Sequence, residues 1–146
     1  MNEQLEQKLI QKYPKLLRQT EESEMVSPMY WGIACGDGWY NILNTMMNGI
    51  QRYVDRKQKE NPDFPQVEFS QIKEKFGGLR VYIDNSDEVI DAYINFAESM
   101  ANVTCEICGN VGKTRSYNGW YATDCDGCFA KHKAQTKTKE DSVQDQ

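Results

Sequence analysis

Leu5, Leu9, Tyr13, Leu16 and Leu17 recur at helical spacing along a polar opening segment, and Pro14 interrupts them. Proline lacks a backbone N–H and clashes with the preceding turn, so the spacing predicts a first helix of about three turns that ends or kinks there. The polar connector QTEESEMVSP follows. A longer stripe comes next: Trp39, Ile42, Leu43, Met46, Ile50, Tyr53 and Val54 share one face of a helix that runs out in DRKQKENPDFP, where two prolines forbid continuation. This helix is the expected centre of the core. Gly36-Asp37-Gly38 suits a tight turn before it, with Asp37 placed to cap the helix.

From Val67 the period changes from helical to alternating. Val67, Phe69 and Gln71 alternate with Glu68, Ser70 and Ile72; beyond FGG, Leu79, Val81 and Ile83 alternate with Arg80, Tyr82 and Asp84. Two antiparallel strands joined around Gly77-Gly78 account for this pattern. A two-stranded ribbon is marginal alone, so it is expected to pack on the long helix. In NSDEVIDAYINFAESMANV, Ser86 is placed to cap a further helix and Asp87 and Glu88 sit at the positive end of its dipole. Val89, Ile90, Tyr93, Ile94, Ala97, Met100 and Ala101 are its expected buried face. The final QTKTKEDSVQDQ has no apolar residue but Val143 and reads as a disordered tail.

The pattern predicts an α+β chain, helices packed on a β-hairpin, divided into a helix and connector (1–24), a core (25–104), a C-terminal module (105–134) and a tail (135–146). At 146 residues and 39% hydrophobic content, one compact unit is expected. No stretch approaches the roughly 18 apolar residues of a membrane span, and the opening is polar where a signal peptide is apolar. The expectation is a cytosolic protein, whose paired cysteines bind metal or do redox chemistry.

Those pairs are CEICG at 105–109 and CDGCF at 125–129, spaced C-x2-C-x16-C-x2-C. Zinc takes four ligands in a tetrahedron, and two such short loops supply them, so Cys105, Cys108, Cys125 and Cys128 are the candidate ligands of one structural zinc ion. Between the pairs, Asn118-Gly119 signals a hairpin with Tyr117 facing Trp120, and CDGCFAKHKAQ reads as the start of a helix. Knuckle, hairpin and ligand-bearing helix resemble a treble-clef zinc finger, with a three-stranded zinc ribbon as the near alternative. Such modules serve nucleic-acid binders, nucleases and protein-interaction domains alike.

Four thiolates close the coordination shell and leave no position for a catalytic water. A zinc deaminase needs His-x-Glu upstream of its Cys pair, and the single histidine, His132, lies downstream; it reads as a surface residue or a substitute fourth ligand. Cys35 has no basic partner to make it a nucleophile and reads as a small buried residue. Formal charge is −5, and four thiolates (−4) with one zinc ion (+2) take it to −7, which disfavours a protein built to grip nucleic-acid backbones. A nucleic-acid role would use Lys113, Arg115, Lys131 and Lys133 on one face of the module.

Tyr30, Trp31, Trp39 and Tyr40 crowd eleven residues, and such rings either fill a core or anchor partners and planar ligands. The hairpin tip KEKFGGLR carries Lys73, Lys75 and Arg80. Trp31, Asp37, Trp39, Tyr40, Lys75 and Arg80 are therefore the candidate ligand or partner surface, and if the two segments adjoin they form an aromatic and cationic pocket for an anionic ligand. The leading expectation is a non-enzymatic, zinc-containing binding protein that engages another protein. A nucleic-acid-binding finger and a nucleotide binder or hydrolase are the alternatives, and oligomeric state stays open.

GDGWYNIL, then QIKEKFGGLRVYID, then a helix ending in CEICG resembles a pattern in small uncharacterised accessory proteins of tailed bacteriophages and prophages. The resemblance spans Trp31 to Cys128, and KEKFGGLR is its most distinctive part. It implies a phage-encoded accessory protein acting in the cytosol of an infected bacterium and carries no functional residues with it; the expected protein partner is then a host protein.

Overall fold

In a computed structural model, the backbone is described for residues 1–143 and side chains for residues 1–135. The chain forms an α+β fold of four helices, a three-stranded sheet and a separate two-stranded ribbon. Helix α1, Glu3–Lys12, ends at Tyr13 just before Pro14, as the spacing predicts. Asn2 caps it, its side chain accepting from the Leu5 backbone N–H. Leu9, Tyr13, Leu16 and Leu17 carry the apolar stripe into the core. The connector is firmer than its polarity implies. The Ser27 hydroxyl donates to Gln19, whose amide donates to Glu68 and Asp84, so two short 3-10 turns, Arg18–Glu21 and Pro28–Trp31, are fastened to the sheet.

The sheet has one strand that periodicity did not reveal. Strand β1 is only Ile33–Ala34 and lies parallel to β2, Glu68–Lys75, with Ile33 opposite Ile72. Strand β3, Gly78–Asp84, completes the predicted hairpin, antiparallel to β2. Phe76 and Gly77 form its two-residue turn, both at positive φ (53° and 79°), which is the backbone twist that matches tightly joined strands.

Helix α2, Tyr40–Glu60, buries Leu43, Met46, Met47, Ile50, Tyr53 and Val54 against the sheet, and Trp39 at its head is fully buried. The expected cap is corrected. Asp37 opens a 3-10 turn, Asp37–Trp39, three residues before α2, and its carboxylate accepts from the Asn2 backbone N–H (2.7 Å) and side-chain amide (2.9 Å) instead of capping. Helix α3, Glu88–Ala101, is capped by Asp87 rather than Ser86: the Asp87 carboxylate accepts from the Ile90 N–H, while the Ser86 hydroxyl donates to Asp91. Burial opposes the Asp87 charge, but the Tyr53 hydroxyl and the Ile90 and Val89 N–H groups outweigh it and hold the carboxyl below its usual range.

Four of the seven residues of the expected α3 face are buried. Ile90, Ile94, Ala97 and Ala101 enter the core, whereas Val89, Tyr93 and Met100 remain exposed. Strands β4, Lys113–Tyr117, and β5, Trp120–Asp124, form the second hairpin around Asn118-Gly119, with Tyr117 paired to Trp120. Helix α4 follows at Asp126–Val143, its backbone helical into the stretch read as a tail; residues 144–146 lie outside the described residues. Among the described residues, no helix is long and apolar enough to cross a membrane.

Candidate metal centre

The four cysteines converge. Their sulfurs all lie within 4.8 Å of one another, and Cys108 Sγ is 3.7 Å from Cys125 Sγ. A tetrahedral ion with metal–sulfur bonds of about 2.3 Å needs sulfur–sulfur edges of about 3.8 Å, so this group is positioned to hold a metal ion. Cys105 and Cys108 sit on a loop closed by the Gly109 N–H donating to the Cys105 carbonyl and the Cys105 N–H donating to Asn110. Cys125 stands between β5 and α4 and Cys128 lies in the first turn of α4, where its N–H donates to Cys125 Sγ at 3.4 Å. Backbone N–H groups aimed at sulfur favour the thiolate, the form that binds metal. At Cys105 burial works the other way, yet the N–H groups of Cys108, Cys125 and Ile107 draw its thiol down to about 7.

The two faces of the β4–β5 hairpin do different work. Thr123, on one face, donates its hydroxyl to the Gly77 carbonyl at 2.6 Å, and Tyr121 meets Phe76 edge to face, so this face docks on the β2–β3 turn. On the other face Arg115 donates to Asp124 (2.5 Å) and Asp126 (2.8 Å) and stacks on Phe129 of α4. Arg115, Tyr117, Trp120, Phe129 and His132 line a cleft of about 450 Å³ between hairpin and helix. His132 lies in this cleft wall, outside the four-cysteine group. The four cations proposed for nucleic acid do not form one free face. Arg115 is committed to two aspartates, and Lys131 stands two positions from Phe129 and Lys133 on α4, on the opposite side of the helix.

The Gly-Asp-Gly turn has a structural purpose that spacing alone did not show. The Gly38 N–H donates to the Glu106 carbonyl at 2.7 Å, and the Trp39 indole donates to the Thr104 carbonyl at 2.9 Å. A β-carbon on Gly38 would stand 2.1 Å from the Cys105 carbonyl oxygen and 2.6 Å from the Gly109 nitrogen. Backbone cannot yield there, so the turn is glycine because it is pressed against the first metal-binding loop. Glu106 is enclosed at this contact, and burial, with the Glu74 charge adding to it, pushes its carboxyl up to about 7. Gly38→Ala is expected to cost about 1–3 kcal/mol through overpacking and to loosen the metal loop. Thermal unfolding with metal analysis checks this, and unchanged melting with unchanged metal retention would refute the contact.

The other expected site residues do not gather. Trp39 is core, not surface, and Tyr40 is half-buried. Asp37 is engaged by Asn2, and the Arg80 guanidinium folds back on its neighbour's carbonyl, Leu79 O. Lys75 is exposed, its ammonium over the Phe76 ring. Trp31 lines a concavity of about 380 Å³ whose charged walls are Glu6 and Glu21, not Lys75 and Arg80, so the anticipated aromatic and cationic pocket is not formed. Burial pushes the Cys35 thiol up to about 12, with the Glu106 charge contributing, which leaves it protonated and inert at neutral pH.

Fold and site together define a small α+β protein with an integral four-cysteine metal module. No family model, curated protein or solved structure matches the chain.

Proposed function

We propose that this chain is a non-enzymatic binding protein, shaped by one zinc ion, whose partner is another protein. The observation that carries the reading is the ledge at residues 25–31. Met25, Val26, Tyr30 and Trp31 are exposed there, Trp31 at 72%, while Ser27 and Met29 between them are buried. The ledge is rigid as well as apolar: the Ser27 hydroxyl accepts from the Met29 N–H, the Ser27 carbonyl accepts from Tyr30, and Tyr30 and Trp31 rings meet edge to face at 5.1 Å. Trp and Tyr held rigidly in solvent lose little entropy on contact, which is the property of interface hot spots. Glu6 and Glu21 in the adjoining concavity suit a cationic side chain of the partner.

Zinc is the ion that four thiolates in a tetrahedron favour in a reducing compartment. The resemblance to phage accessory proteins supports a bacterial host protein as partner and the host cytosol as location. Trp31→Ala is expected to abolish recovery of that partner from bacterial lysate while leaving melting temperature and metal content unchanged. Recovery of no stoichiometric partner by the wild-type protein, or equal recovery by the variant, would count against the reading.

A second reading rests on the cleft between β4–β5 and α4, whose Trp120 is 79% exposed. Its rings could stack on bases of single-stranded nucleic acid. A salt-dependent affinity for single strands that Trp120→Ala removes would bring this reading forward; no affinity removes it.

A further inference from the structure

Helix α3 carries two apolar stripes where one suffices for a core helix. Ile90, Ile94, Ala97 and Ala101, spaced 4, 3 and 4, face inward and are buried. Val89, Tyr93, Phe96 and Met100, spaced 4, 3 and 4, form a second stripe that stays in solvent, Phe96 at 70% exposure, and exposed Val103 extends it just past the helix end. Alternating 3–4 spacing is the seam by which a helix packs on another helix. The second stripe borders a groove of about 390 Å³ between α2 and α3, walled by Ile42, Met46, Tyr93, Ala97 and Met100. The helices are antiparallel here: the Tyr93 ring lies against Gly49, and Tyr53 on α2 donates to Asp87 at the head of α3.

This face is nearly free of charge in a chain that is 27% charged. Residues 38–51 contain no Asp, Glu, Lys or Arg, and residues 92–104 contain only Glu98, whose carboxylate accepts from the Val81 N–H on the sheet side. Depletion of charge with enrichment of aromatics and Met is the composition of an interface core. Helical seams that select a foreign partner do so through flanking charges, and the flanks here, Asn41, Thr45, Asn95 and Ser99, have none.

The geometry points to a second copy of this chain as the occupant, in a two-fold dimer through the α2–α3 face. An isologous contact needs knob and hole on one patch, and Phe96 stands beside the groove that a partner's Phe96 would enter. Two copies with net charge −5 each meet most cheaply where neither presents charge. Taking 150–250 Å² for a whole ring, Tyr93 and Phe96 at 39% and 70% exposure offer about 200 Å² between them. Val89, Met100 and Val103, at 42%, 40% and 52% exposure, add a comparable area, which places the face below the roughly 800 Å² per partner of a standard interface and among the small, weak ones. A small interface of this kind is expected to be weak, a concentration-dependent monomer–dimer equilibrium with a dissociation constant on the order of micromolar.

Sedimentation equilibrium on the full, metal-loaded chain tests this. The wild type is expected to shift from monomer to dimer between about 1 and 200 µM, and Phe96→Glu to raise the dissociation constant roughly 100-fold with unchanged far-ultraviolet circular dichroism. A photoreactive phenylalanine analogue at position 96 gives a readout that does not depend on the variant's stability. It is expected to cross-link two copies in purified protein, to residues of α2 or α3. A wild type that remains monomeric at 200 µM, a dimer that Phe96→Glu leaves intact, or cross-links that fall outside α2 and α3 would overturn the proposal. Trp31→Ala is expected to dimerise normally, so failure of the ledge reading and failure of the dimer are separable.

Discussion

Replacing Cys105 with serine is expected to strip the metal from the protein and unfold the C-terminal module while α1, α2 and the three-stranded sheet persist. Cys105 is the buried member of the four-cysteine group, and serine cannot replace a thiolate in it. Otherwise the module is held by two five-residue strands, the Arg115 contacts to Asp124, Asp126 and Phe129, and its docking at the Gly-Asp-Gly turn and the Phe76-Gly77 turn, with few fully buried apolar side chains of its own. Structural zinc sites contribute about 10–16 kcal/mol of apparent binding free energy, which becomes folding free energy where no site preexists. Removing one ligand of four therefore lowers metal affinity by orders of magnitude. Metal content by native mass spectrometry is expected to read one ion per chain for the wild type and none for Cys105→Ser. Cys35→Ser is the control, because Cys35 lies outside the group and is expected to retain the ion.

Acidification offers the same test without substitution. Each ligand must lose its proton before it binds, so protons compete with the ion: affinity is full at neutral and alkaline pH and falls as pH drops. Metal loss on titration from pH 8 to pH 5, reversed on return with added zinc, is the expected result. Full retention of metal by Cys105→Ser would refute the assignment.

Much of this architecture was legible because it is local. The α2 stripe, the β2–β3 hairpin around Gly77 and the two Cys-x-x-Cys pairs each reside in one continuous segment whose period or spacing reports its environment. What escaped was non-local. Strand β1 is two residues long and exists only because it lies parallel to β2, thirty-nine positions away in register from Ile33 to Ile72. Asp37 has the residue type of a cap, but Asn2, from the other end of the chain's first helix, takes its carboxylate. The α3 residues were rightly read as apolar and helical, yet periodicity cannot say that two stripes exist and that the molecule's own core covers one. The docking of GDG on the metal loop was equally hidden, since a Gly-x-Gly reads the same whether it serves a turn, a phosphate or a close backbone approach.

Trp39→Ala is expected to lower stability by about 3–5 kcal/mol, the range for emptying a large aromatic site in a core. Trp39 is 0% exposed and stands where the head of α2 meets the segment leading into the metal loop. Its ring fills the space at the head of α2, and its indole N–H is the donor to Thr104 at the entrance to the metal loop. Truncation leaves a cavity and strands that carbonyl, and the two penalties fall on opposite sides of the same contact. In a chain of this length such a loss corresponds to a drop in melting temperature of roughly 10–20 °C. Trp39→Phe divides the effects: it restores most of the apolar volume but not the hydrogen bond, so it is expected to recover most of the melting temperature while still releasing metal faster to a chelator than the wild type. If Trp39→Phe releases metal at the wild-type rate, the indole bond does not couple core and module, and the coupling resides in the Gly38 contact alone.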